Sequence, residues 1–226
     1  LRDALKRRIS HREKGAGGAA VKGRTMGALL SNFRNTMIVS FVLAIILIGA
    51  TLATTDSGGH NAGLAVFRWL HVFFGVLWIG LLYYFNFVQI RMMPKIPDEL
   101  KPAIGKFIAP EALFWFRWAA LFTILTGIVI AAGYGYLLQA FTLGAVEGFA
   151  VPKHVFIGIG MWLATIMFLN VWLVIWPNQK IALGLVEAPA EAKPKAARTA
   201  MLFSRTNTLL SIPMLASMAM TQTLFG

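Results

Sequence analysis

The chain has 226 residues and no cysteine; 58% of it is hydrophobic, only 13% is charged, and the formal charge is +12. A soluble domain carries about a quarter charged residues, so this composition excludes a water-facing globule. The missing thiols exclude disulfides, thiolate metal centres, iron–sulfur clusters and haem attached covalently through Cys-x-x-Cys-His.

Five runs contain no Asp, Glu, Lys or Arg: Asn35–Thr55, Trp69–Ile90, Trp118–Val146, His154–Gln179 and Thr206–Gly226. Each is long enough to cross roughly 30 Å of hydrocarbon, which takes about 20 helical residues. The reading is an all-α integral membrane protein with five transmembrane helices, over about 35–56, 64–90, 111–138, 152–176 and 203–225. Residues 1–34 form a basic cytoplasmic segment, and 35–226 form the membrane domain. Basic residues crowd three connections: the N-terminal segment, then Arg91, Lys95, Lys101 and Lys106, then Lys180, Lys193, Lys195 and Arg198. Such residues stay on the cytoplasmic side, which puts the N-terminus inside and the C-terminus in the periplasm. The charge is thus spread along an anionic lipid leaflet, and a nucleic-acid partner is excluded.

In chain order, Leu1–Lys14 suits a short basic amphipathic helix or disorder, followed by a glycine link at Gly15, Gly17 and Gly18. The first span is aliphatic, faces lipid and reads as a retained anchor. The second, Phe67–Ile90, is aromatic. The connection after it has four prolines and is expected to be extended or turn-like, with at most a short interfacial helix. The third span ends past Gly133 and Gly135. The fourth starts at Pro152, where a first turn needs no amide donor, and is expected to stop at Pro177. The Ala/Pro-rich stretch Glu187–Ala200 is expected to be mobile, and Pro213 is expected to kink the last span.

Polar residues within apolar spans mark function or tight packing. From a start near Leu64, His71 lies about 10 Å deep at 1.5 Å per residue, with Gly75 and Trp78 on its face and Arg68 one turn above. His154 precedes Gly158 in the fourth span. Both helices run the same way, so two imidazoles at one depth are a sensible axial pair for b-type haem, which needs no cysteine. Arg68 suits a propionate or a lipid headgroup. The alternatives are a quinone or another ligand without haem, His60 joining a metal site, or purely structural histidines. Asn86, Arg117, Asn170, Arg205 and Asn207 suggest a structural polar cluster at the cytoplasmic end. No phosphate-cradling glycine motif, HExxH or buried carboxylate pair is present.

Three stretches then resemble one family. Phe67–Gln89 (FRWLHVFFGVLWIGLLYYFNFVQ), Ile166–Ala182 (IMFLNVWLVIWPNQKIA) and Ser204–Met218 (SRTNTLLSIPMLASM) are similar to the membrane domain of the bacterial urate hydroxylases (PuuD), also called the urate oxidase N-terminal family. The matching positions are His71, Trp78, Gly80, Asn170, Pro177, Asn178, Gln179, Arg205, Asn207 and Pro213. The first stretch also looks like other haem-associated membrane families, the HemJ-type protoporphyrinogen oxidases and CopD-like proteins. The resemblance implies electron transfer towards a periplasmic cytochrome c. The chain ends after its last span, so that cytochrome is expected to be a separate partner. The expected function is a haem b-binding electron-transfer or oxidase-like subunit of the bacterial inner membrane, with other inner-membrane subunits and anionic lipids as further partners. A structural or assembly subunit, and urate oxidation with a separate acceptor, are the alternatives.

Overall fold

The computed structural model describes residues 26–55 and 58–225. The amphipathic helix expected over Leu1–Lys14 lies outside the described residues. The chain divides into two compact units, at Gly59 and His60. The first contains helix α1 (Phe33–Thr54), capped by Asn32, whose side chain accepts from the amide of Asn35. None of its residues is buried, as an aliphatic anchor without an amphipathic face requires.

The second unit is built on α2 (Gly58–Lys95), α3 (Lys101–Gly133), the short α4 (Leu137–Phe141), α5 (Pro152–Ala182) and α6 (Ala192–Phe225). No strand occurs among the described residues. With α1, these give five helices long and apolar enough to cross a membrane. Side chains close α2, α3, α5 and α6 into a four-helix bundle. His71 on α2 meets Thr123 on α3, Trp118 on α3 meets Trp172 on α5, Asn207 on α6 meets Met167 on α5, and Ser204 on α6 meets Asn86 on α2. The centre is filled by Trp78, Leu82, Phe116, Met167 and Val171, each fully buried.

Four expectations about helix boundaries are corrected. The four-proline connection is mostly helical: only 96–100 breaks it, and α3 begins at Lys101. Pro102 sits in a first turn, where it costs no hydrogen bond. Pro110 lies one residue beyond the π-helical segment Ile104–Ile108. Pro177 does not end α5 either, because it follows a second π-helical segment, Asn170–Ile175. A π turn has already displaced the i→i−4 ladder, so a residue without an amide proton breaks no regular bond there. The α5 helix stops instead at Gly184 (φ +70°), where Leu185 N bonds Lys180 O and Gly184 N bonds Ile181 O, the Schellman closure. Gly135 (φ +75°) closes α3 in the same way, five residues earlier than expected. Finally, the larger part of the stretch expected to be mobile, from Ala192 on, is the start of α6, because alanines favour helix and Ala196 and Ala200 bury one face. Pro213 lies inside α6 without ending it.

Candidate functional site: two histidines and a polar level in the bundle

His71 faces α3. Its Nδ1 lies 2.9 Å from the Thr123 carbonyl and 3.3 Å from Thr126 Oγ1. A carbonyl only accepts, so Nδ1 carries the proton, and in the neutral form of the ring the lone pair is at Nε2. Both threonines are tied to their own helix, Thr123 Oγ1 to Ala119 O at 2.7 Å and Thr126 Oγ1 to Phe122 O at 2.6 Å. The ring lies so close over Gly127 that a Cβ there would stand 2.9 Å from His71 Cε1. Sequence reasoning missed Thr123, Thr126 and Gly127. The signal was the small-residue spacing Ala119, Ala120, Thr123, Thr126, Gly127, which marks the face of α3 that lets a neighbour approach.

Arg68 lies with its guanidinium 5.3 Å from the centre of the Tyr134 ring. A cleft of about 380 Å³ opens beside it, lined by Ala65, Trp69, Val72 and Tyr134 as well. Tyr134 stacks on Tyr136 at 6.4 Å, and Tyr136 stacks on His154 at 6.0 Å. Burial pushes the Tyr136 phenol above its ordinary value, against the opposite pull of Arg68. The His154 Nδ1 is paired with Glu147 Oε2 at 2.5 Å, leaving Nε2 unbonded.

The two histidines are therefore held in different seams. His71 belongs to α2 and α3; His154 belongs to the first turn of α5 and the loop before it. No hydrogen bond or ring contact joins them among the described residues; a series of ring contacts leads from His154 through Tyr136 and Tyr134 to Arg68. The helix face at Gly158, one turn from His154, is filled by α4, since a Cβ there would meet the Ala140 carbonyl oxygen. Gly75 faces Thr123, and Trp78 is buried in the core. His60 bonds the Gly133 carbonyl at 3.1 Å, tying the start of α2 to the end of α3. No group of three His, Cys, Asp or Glu suited to a metal ion occurs among the described residues.

At the opposite end of the bundle, Asn170 Nδ2 donates to Asn207 Oδ1 at 2.8 Å, and Asn207 Nδ2 donates to the Met167 carbonyl at 2.9 Å. Asn86 Nδ2 donates to Leu82 O at 2.9 Å and to Ser204 Oγ at 2.8 Å. Arg117 lies 3.4 Å above the Trp176 ring, and Arg205 is exposed. The structure thus joins Asn170 to Asn207 directly and sets Asn86 against the same helix. Among the described residues, five buried side-chain polar atoms have no hydrogen-bond partner: Trp78 Nε1, Asn86 Oδ1, Gln89 Oε1, Arg117 Nη1 and Trp172 Nε1. Each such atom costs about 1–3 kcal/mol.

Residues 129–223 match the family described as Urate oxidase N-terminal. No curated protein and no solved structure matches the chain.

Proposed function

From the match of residues 129–223 to the urate oxidase N-terminal family, we propose that the chain is a membrane-embedded, haem b-binding electron-transfer subunit that passes electrons to a separate periplasmic partner. The observation that carries the reading is the His71 tautomer. A metal-ligating imidazole characteristically donates its other ring N–H to a carbonyl or carboxylate, which fixes its orientation and raises its basicity. His71 has that arrangement through Thr123 O, with Nε2 free.

In this reading His71 is the residue that would ligate a haem iron. Haem b, when bound, supplies one-electron exchange at its iron. The Thr123 carbonyl holds the ring's proton at Nδ1, and Gly127 gives the ring room against α3. Arg68, one turn away, offers a cation to a carboxylate in the cleft beside Tyr134. His154, oriented by Glu147, is a second imidazole with a free Nε2 in a separate environment. In the proposed orientation the basic connections face the cytoplasm, so the His71 end lies nearer the periplasm and an electron acceptor there. Purified protein is expected to show a Soret band and a reduced alpha band, both lost in His71→Ala. A colourless but intact preparation overturns the reading.

A second reading is urate oxidation with a separate cytochrome c as acceptor, favoured by the family match alone. Urate-dependent reduction of added cytochrome c is its test, and no reduction by the purified pair removes it.

A further inference from the structure

A second cleft opens between α2 and α3, roughly 20 Å along α2 from His71 at 1.5 Å per residue. Its volume is about 450 Å³, within the range of about 300–1,000 Å³ usual for small-ligand sites. Leu81 and Tyr84 of α2 form one wall; Phe107, Ile108, Glu111 and Ala112 of α3 form the other. Each wall includes the end of a π-helical segment, Tyr84 from Tyr84–Gln89 and Phe107 and Ile108 from Ile104–Ile108. Such segments recur at functional sites. Phe107 is 69% exposed and Ile108 is exposed as well, so the cleft opens to the outside of the bundle.

The walls are apolar and aromatic, yet two opposite charges stand at them. Glu111 lines the cleft, and its Oε1 accepts from Trp115 Nε1 at 2.9 Å. That bond orients the carboxylate and leaves Oε2 for another donor. Lys106 Nζ lies 5.5 Å from the centre of the Phe107 ring, at the rim. Both charged residues are exposed. Neither forms an ion pair among the described residues, where the pairs are Lys101–Asp98 and His154–Glu147. A carboxylate calls for charged N–H donors, and a lysine ammonium calls for an anionic oxygen. The rings of Tyr84 and Phe107 add an attraction for a cation. One occupant satisfies both charges only if it is a zwitterion, and Leu81, Ile108 and Ala112 call for hydrocarbon attached to it. The open Oε2 selects a primary ammonium over a quaternary one, which has no proton to donate.

We propose that the cleft between Tyr84 and Phe107 binds one phospholipid with a phosphoethanolamine head group. Its ammonium donates to Glu111 Oε2, its phosphate meets Lys106, and an acyl chain covers Leu81 and Ala112. The site shares no residue with the surroundings of His71 and stands independently of the haem reading.

The test exchanges the full-length chain, purified in detergent, against defined lipids and counts bound lipid by native mass spectrometry, with thermal unfolding of each variant recorded alongside. Phosphatidylethanolamine is expected to bind about tenfold more tightly than phosphatidylcholine, which lacks the N–H donors, and phosphatidylglycerol, which lacks the cation. Tenfold is the worth of one hydrogen bond to a charged group. Glu111→Gln keeps the shape, removes the charge, and is expected to abolish the preference. Lys106→Gln is expected to weaken all three lipids by several-fold, since all three carry the phosphate. The comparison on wild type needs no variant, so it decides the matter even if a variant fails to assemble. Equal retention of the three lipids by wild type overturns the proposal, as does a preference that survives Glu111→Gln in a protein with unchanged unfolding. Displacement of the bound lipid by an equimolar short-chain quinol overturns it too and makes the cleft a quinone site.

Discussion

Asn207 uses its whole amide: the oxygen accepts from Asn170 and the nitrogen donates to the Met167 carbonyl, with the side chain fully buried. Asn207→Leu removes both bonds and strands Asn170. A loss of about 1–3 kcal/mol is expected in reversible unfolding in detergent, given interhelical bonds of about 0.6–1.7 kcal/mol each in membrane proteins. Arg205→Ala, at an exposed position, is expected within about 0.5 kcal/mol of wild type. The polar pairing of Asn170 with Asn207 was legible because apolar helices leave few positions to choose from. Arg205, expected in the same polar cluster, lies outside it: Ser204, Asn207, Ser211, Met214, Ser217 and Thr221 form the buried stripe at steps of three and four, and Arg205 is one residue off it and exposed. Arg117 was not legible, since its partner is the Trp176 ring on another helix. No spacing within α3 points to that contact.

Two glycines two residues apart show how closely these helices meet. A Cβ at Gly158 would stand 2.1 Å from the Ala140 carbonyl oxygen, and one at Gly160 would stand 2.4 Å from Ser217 Oγ. Gly158 therefore admits α4 and Gly160 admits α6, so one short stretch of α5 serves two neighbours. Gly158→Ala pushes on backbone and is expected to cost about 1–3 kcal/mol, the usual penalty of overpacking. Gly80→Ala meets nothing within 4 Å and is expected to be neutral, or to stabilise by about 0.5–1 kcal/mol through helix propensity. Melting temperatures of the two variants in one detergent check the contrast. The loop after α4 is the strained part of the unit, with Leu143 (φ 53°) and Phe149 (φ 62°) both left-handed. The Glu147–His154 pair and the bond from Trp162 Nε1 to Phe141 O at 2.9 Å tie this region to α5. The sequence placed a loop there and put His154 at its edge. It carried no sign of Glu147 as the partner, because that pairing depends on the left-handed turns between them.

At the scale of the molecule, the five long helices follow from hydropathy and length alone. The proposed orientation is the part that composition argues and geometry leaves to experiment. The native chain has no cysteine, so single substitutions report without background. Glu99→Cys and Glu191→Cys are expected to resist an impermeant maleimide added to intact spheroplasts, whereas Val146→Cys, at an exposed loop position, is expected to react. The opposite pattern inverts the assignment and moves the His71 end away from any periplasmic acceptor.

The wide turn Asn170–Ile175 also makes the chain unequally tolerant of lost residues. Removing one residue between Val171 and Val174 restores ordinary closure, as a π turn holds one residue more than the α turn it replaces. The deletion then sets the Pro177 ring against a carbonyl one turn earlier, so the tip of α5 beyond it must bend. The same deletion in Val155–Ile159, where no slack is stored, would instead turn Gly160 and everything beyond it away from α6.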